Sequence, residues 1–343
     1  MTSPSQAAAD GDSLTLEPEG IPGAPGGKGT PDLAGRTPRQ LAWLRFKRDK
    51  TGIACAIIIA CFVLIAVAAP LIVKLYGQNA YDFYGQDDGL LNSYGLPIAP
   101  NGGISSTHWF GVEPNLGRDV FALLIYGIRT SLGIAAVVTI ISVGTGVLFG
   151  LTQGYIGGKV DYFMGRFSDF MLSFPSQLFF IAFSPVAISL FVNVGDQEPW
   201  WVRPLVLIGV QFLLGWMSIG RLVRAQVLSL REREFVEAAR ISGASSWRII
   251  RKELLPNLWS TILVQATLML PVFVTAEAGL SFLGVGIAAP TPDWGLLFQT
   301  GATYYSSDIT FMFFPGIAMV IFVVAFNLLG DSVRDALDPK TLR

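Results

Sequence analysis

The sequence predicts an all-α chain that crosses a lipid bilayer six times. Three observations carry this. Six long stretches are free of charge. Charged residues make up 14% of the 343 positions, against roughly 25% in an average soluble domain. The basic residues also gather on alternate connections. With 52% hydrophobic residues and a mean hydropathy of +0.52, too little polar surface remains to cover a soluble fold of this length. A soluble enzyme is therefore excluded first. A net charge of −1 gives no general attraction to nucleic acid. The two cysteines, Cys55 and Cys61, fall in one apolar run, which excludes a disulfide scaffold, and the single histidine, His108, excludes a histidine-rich metal site.

Residues 1–40 are a different material from the rest. Seven Gly and six Pro occupy them and no apolar period appears, so they read as a disordered tail. No apolar core follows a basic start, so a signal peptide is not expected. Residues 52–73 are uncharged and, at 1.5 Å per residue, reach ~33 Å, enough for a bilayer core. Further runs follow at 130–152, 170–195, 204–220, 254–276 and 309–330, the fifth continuing past Glu277 to Pro292. None alternates as a barrel strand would, and backbone groups in lipid must pair within their own segment, so all six read as helices.

Lysine and arginine fix the orientation. With the N-terminus inside, 20 of the 24 basic residues lie on cytoplasmic segments. Only Lys74, Arg118, Arg129 and Arg203 lie outside, and both termini come out cytoplasmic. Trp109, Trp200, Trp201 and Trp294 then form an outer aromatic belt, and Trp43, Trp247 and Trp259 an inner one.

Two connections remain. The outer one, about 75–118, is long and rich in Gly, Asn and Asp, and loops of that length usually have a function. The inner one, about 225–257, carries Leu228, Phe235, Val236 and Ala239 at helical spacing, with charge on the other face. Gly243 sits where a left-handed residue would end a helix. Ser245 or Ser246 can cap a second helix through Trp247, Ile249 and Ile250, and Pro256 marks a turn into the fifth span. A basic amphipathic hairpin of this kind either lies on anionic headgroups or fits a partner's groove. The small pair Ala238–Ala239 favours the groove, because it lets another surface come close.

The motif Glu237-Ala238-Ala239, then Gly243, then Leu255-Pro256 resembles the EAA loop of ABC importer permeases. His108-Trp109-Phe110-Gly111 with Leu116-Gly117-Arg118-Asp119-Val120 is similar to the outer-loop signature of the second, C-type permease in the dipeptide/oligopeptide branch. So are Glu277 to Gly284, Pro290 to Gly295, and Asn327 to Asp331 with Arg334 to Pro339. The resemblance covers about 41–343. Glu253 departs from the general EAA pattern, which has isoleucine there.

The resemblance implies the type I importer permease fold over 41–343. It also implies an ATPase-docking coupling helix that uses Glu237, Ala238, Ala239, Gly243, Trp247, Leu255 and Pro256. The implied partners are a second permease subunit, two ATP-binding subunits and an extracytoplasmic substrate-binding protein, all at the cytoplasmic membrane, with di- or oligopeptides as cargo. Nickel or another small solute is the alternative cargo.

The chain carries no G-x-x-x-x-G-K-[ST] phosphate loop, no zinc spacing and no G-x-S-x-G elbow. It is therefore expected to be non-catalytic and to hold no cofactor or metal, with ATP and Mg bound by partner subunits. An ion-coupled secondary transporter would call for several intramembrane charges and inverted repeats, whereas Glu277 is nearly alone and no repeat is visible.

Glu277 has two readings: a pathway carboxylate that meets a peptide amino group, or a satisfied packing residue. Arg118 and Asp119 either pin the outer loop or touch the binding protein. Arg166 and Asp169 read as a local ion pair. Gly133, Gly144, Gly146, Gly150 and Gly154 read as a close-packing stripe.

Overall fold

The computed structural model describes residues 38–337 except 88 and 194. Most of the expected 1–40 tail, and Asp338 and Pro339 of the closing motif, lie outside the described residues. Helix α1 (Pro38–Arg48) already begins inside the stretch read as tail. It ends at Asp49, whose side chain accepts from the Thr51 N–H at 3.0 Å and so caps α2 (Lys50–Tyr76). Gly77, with a φ of 89°, closes α2 in the left-handed conformation. Cys55, Ile59, Phe62, Ala69 and Val73 form its buried stripe, while Ile57, Leu64, Val67 and Leu71 face outward as lipid-contacting side chains do.

Between α2 and the next span the chain folds into a cap. It contains two short turns, α3 (Tyr84–Asp87) and α4 (Pro100–Gly103), and two isolated bridges, Leu91 with Pro97 and Val112 with Asp119. The remaining helices are α5 (Val120–Ile156), α6 (Gly158–Leu172), α7 (Ser176–Ser189), α8 (Val202–Leu230), α9 (Glu234–Ile241), α10 (Ser246–Ile249), α11 (Leu255–Phe282), α12 (Trp294–Tyr304) and α13 (Thr310–Leu337). Among the described residues no strand forms.

Five segments are long and apolar enough to cross a membrane, and α6 with α7 makes a sixth if the pair is one span. The third span therefore departs from the expected straight run over 170–195. The α6–α7 pair bends by 85° at residues 173–175. Pro175 is the cause: its ring disfavours helical geometry at Phe174 and removes an amide donor. The fourth span is longer than its 17-residue apolar run, because α8 continues as an amphipathic helix to Leu230. The fifth ends at Phe282 rather than Pro292.

The expected turn at Pro256 is absent. The helix runs from Ser246 to Phe282, with residues Ile250–Leu254 in a π-helical turn. Proline lacks an N–H and crowds the carbonyl four residues back, here Lys252. One wide turn relieves that crowding without breaking the helix.

The tightest pairing is α5 on α8. A Cβ at Gly146 would lie 2.5 Å from the Trp216 carbonyl oxygen, at Gly150 2.6 Å from that of Gly220, and at Gly154 2.8 Å from Val227. These three glycines, one turn apart, let the two backbones touch. Gly133 and Gly144 do not belong to this stripe, since a Cβ at either would meet nothing within 4 Å.

Trp294 is likewise not in an aromatic belt. It is fully buried, with its ring edge-on to Phe62 and tilted against Phe322. Gly127 makes room for this, because the Asp293 backbone passes 3.3 Å from where its Cβ would be.

Candidate functional site

The inner loop is built on a braced base. Arg224 on α8 holds Asp161 on α6 in a bidentate pair, with Nη2 to Oδ2 at 2.7 Å. Arg221 pairs with Asp169, which Arg166 also approaches at 3.7 Å, so the local Arg166–Asp169 pair exists but belongs to a link between helices. Arg231 donates to the Gly154 carbonyl at the end of α5 at 3.0 Å. Arg240 stands 5.8 Å over the Tyr155 ring.

On this base α9 starts with Glu234 and Glu237 in its first turn and ends with Arg240, charges that suit the helix dipole at both ends. Gly243, with a φ of 77°, reverses the chain, and the Ala244 N–H returns to the Ala239 carbonyl at 3.0 Å. Ser245 caps α10 by accepting from the Arg248 N–H.

Val236, Ile249 and Leu254 anchor the hairpin in the core. Ala239 and Leu255 are half-buried, and Ala239 packs against that core. Glu237, Ala238, Gly243 and Pro256 are exposed. So are two large apolar side chains, Ile241 at 81% and Trp247 at 64%. Of the alanine pair, Ala238 rather than Ala239 fronts the open face. An apolar patch rimmed by charge at the end of two spanning helices is a surface suited to a partner groove.

The outer cap is arranged in the opposite way. Arg118 and Glu113 are buried and paired through two bonds, Nε to Oε2 at 2.5 Å and Nη2 to Oε1 at 2.9 Å. Asp119 caps α5 by accepting from the Ala122 N–H at 2.8 Å. Its other oxygen takes the Tyr76 hydroxyl at 3.0 Å and faces His108 Nδ1 at 2.8 Å. Asp119 is fully buried and Arg118 nearly so, which leaves neither side chain free to touch a binding protein. Asp119 pins the cap to the tops of α2 and α5, and Arg118 ties it to Glu113 and to the Pro290 carbonyl at 3.4 Å.

Glu277 is fully buried near the outer end of α11, where Ser281 Oγ donates to Oε1 at 3.3 Å. Oε2 has no partner. Asp293, sixteen residues on and equally buried, lies beside it, with Ser131 of α5 also adjacent. Glu277 therefore sits in a packed junction in this conformation. Its neighbour Asp293 was not legible in the sequence, because only tertiary packing brings the two together.

A cavity of about 460 Å³ opens between α6, α7, α8 and α11. Its wall includes Gln177, Gln211, Ser218 and Gln265, with Phe180, Met269 and Phe273, and it contains no ionisable side chain. These glutamines lie inside apolar runs, which conceal them in the sequence. A glutamine within such a run was the available signal.

Residues 146–343 match the family described as binding-protein-dependent transport system inner membrane component. Residues 37–93 match the N-terminal TM domain of oligopeptide transport permease C. The chain is 37% identical over 305 residues to the dipeptide transport system permease protein DppC of Bacillus subtilis, covering 89% of this chain and 86% of that one. It is 34% identical over 302 residues to the oligopeptide transport system permease protein OppC of the same organism, covering 87% and 88%. It is 32% identical over 309 residues to the glutathione transport system permease protein GsiD of Pectobacterium atrosepticum, covering 90% and 93%.

Proposed function

The chain belongs to the family of binding-protein-dependent transport system inner membrane components, the multi-pass permease subunits of ABC importers, and on that premise we propose that its cargo is short peptides and that residues 234–257 dock an ATPase subunit. The observation that carries the docking role is the exposed Ile241 and Trp247 on a hairpin braced from below by Arg224, Arg231 and Arg240. A solvated loop gains nothing from a rigid base and an apolar crown, whereas a docking element needs both. Peptide cargo is supported by relatives named for dipeptide, oligopeptide and glutathione transport, which share the peptide bond.

In this reading the assembly contains a second permease subunit, two ATP-binding subunits that hold ATP and Mg, and an extracytoplasmic binding protein. Both termini are cytoplasmic in this reading, which the distribution of basic residues supports. Closure of the ATPase pair moves the docked hairpin. The uninterrupted helix from Ser246 to Phe282 passes that motion to Gln265, Met269 and Phe273 in the cavity wall.

The test is copurification in mild detergent followed by uptake in proteoliposomes. The wild-type chain should bring down its ATPase partners, and the complex should carry tri-alanine in the presence of ATP. A complex that assembles but takes up Ni²⁺ and no peptide would overturn the cargo assignment. A chain that purifies alone and hydrolyses ATP would overturn the docking role.

A further inference from the structure

We infer that the cavity between α6, α7, α8 and α11 is a peptide-backbone site in which the Gln211 amide pairs with the N–H and C=O of one residue of the passing peptide. This deepens the peptide reading above and depends on it.

The starting observation is an unpaired amide. Gln211 is fully buried in α8, and neither Oε1 nor Nε2 has a partner in the chain. Buried polar atoms are nearly always bonded, because each unmade bond leaves a desolvated group uncompensated. A leucine or methionine would fill the same space without that penalty. An amide kept there needs a partner that arrives, and Gln211 forms part of the cavity wall.

Position agrees with a transport role. Gln211 is nine residues along α8 from Val202, about 14 Å at 1.5 Å per residue. That is near the middle of a bilayer core of roughly 30 Å. A volume of about 460 Å³ also falls within the usual range for small-molecule sites.

The chemistry of the wall selects the ligand class. A primary amide offers one donor and one acceptor side by side. In an extended peptide the N–H and C=O of one residue point to the same edge, so they present the complementary pair. Every internal residue of a peptide except proline carries that pair, whatever its side chain. Gln177 on α7 and Gln265 on α11 add amides from two other sides.

The wall carries no formal charge, so it neither attracts nor repels a charged side chain of the cargo. Met171, Met269, Phe180 and Phe273 supply apolar surface, and the methionines adapt to different shapes. Glu277 lies outside this wall and offers no anchor for an amino terminus. The site therefore reads the backbone and tolerates the sequence.

The experiment uses the complete transporter in proteoliposomes, wild type and Gln211→Met. Uptake is measured for labelled tri-alanine and for its analogue with an ester in place of the first amide, which removes the N–H of the central residue and keeps its C=O. The wild type should carry tri-alanine faster than the ester. Gln211→Met should lower tri-alanine uptake about tenfold, to the ester level, and leave ester uptake nearly unchanged. Its complex should assemble normally with a Tm at or above wild type, because an unpaired buried amide has been replaced by an apolar side chain of similar length.

Unchanged tri-alanine uptake, or preserved discrimination against the ester, would overturn the site. A fall in uptake accompanied by a lower Tm or poor assembly would also overturn it, by showing that the amide supports packing. A wild-type complex that carries neither compound strikes the peptide reading itself. A wild-type complex that carries tri-alanine beside an indifferent variant strikes only the site.

Discussion

The outer cap and the inner hairpin are the two elaborate connections of this chain, and they deal with polarity in opposite ways. The cap turns its charges inward: Arg118 meets Glu113, and Asp119 meets His108, Tyr76 and the N-terminus of α5. Beneath the hairpin Arg224 and Arg231 bond to α6 and α5, and the hairpin itself turns Ile241 and Trp247 outward. A connection whose polar groups are satisfied within the chain is finished. One that leaves apolar surface in water awaits a partner. The outer motif Leu116 to Val120 is thus the structural one, and in the segment Glu237-Ala238-Ala239 the first two residues are exposed.

The largest expected effect comes from breaking the cap. Arg118→Ala leaves the buried Glu113 carboxylate unpaired and should destabilise the protein by about 3–5 kcal/mol, read as a fall in thermal midpoint in detergent. The double change Arg118→Met with Glu113→Leu should recover most of it. If Arg118→Ala is silent in stability and instead weakens association with the binding protein, the contrast between the two connections fails.

Next comes the crown of the hairpin. Trp247→Asp should weaken ATPase association by about 2 kcal/mol, a central aromatic contact's usual worth, while the isolated chain keeps its midpoint. Ala238→Arg should do the same, because it faces outward. Ala239→Arg should instead lower stability by about 1–3 kcal/mol, because it packs on the core. Equal stability of the two arginine variants would mean that the faces of α9 are misassigned.

A smaller effect is expected at the base. Asp161 and Arg224 are partly exposed, with 21% and 34% of their side chains accessible. Arg224→Ala should therefore cost about 1 kcal/mol or less in stability, the range of accessible pairs. Its larger consequence should be slower ATP-driven uptake, because the hairpin then moves on a softer support.

The smallest effect belongs to Glu277→Gln. The amide keeps the Ser281 contact and can donate to Asp293, so stability should hold or rise by less than about 1 kcal/mol. Uptake of tri-alanine should be unaltered. A selective loss of uptake would place Glu277 on the pathway.

Much of the architecture was legible in the sequence because lipid demands long apolar helices, and such runs show directly. The places where the reading missed each involve a partner distant in the chain. Trp294 sits in the core because Gly127 admits its loop, and the two readings of Glu277 could not be parted because its neighbour Asp293 lies sixteen residues away. The bend at residues 173–175 was within reach, since Pro175 marks it, but the apolar run continues across and hides the break. At the hairpin the cap residues Gly243 and Ser245 were readable from local chemistry. Which alanine faces outward was not, because that depends on how α9 is rolled against its base.

The glycine ridge of α5 also limits how this protein can move. Gly146, Gly150 and Gly154 seat Gly220, Val223 and Val227 of α8 at backbone distance. A ridge of that pitch has no shallow intermediate positions: sliding by part of a turn would drive a side chain into a carbonyl, and the next fit lies a full 5.4 Å away. The two helices consequently share one set of rigid-body coordinates. Relative motion is left to joints elsewhere, the Gly157–Gly158 link, where both residues have positive φ, and the bend at residues 173–175. Asp161 and Asp169 tie α6 to α8, so the wall of the cavity contributed by α7, beyond the bend, is then the swinging part, and the wall bearing Gln211 is the fixed frame against which it swings.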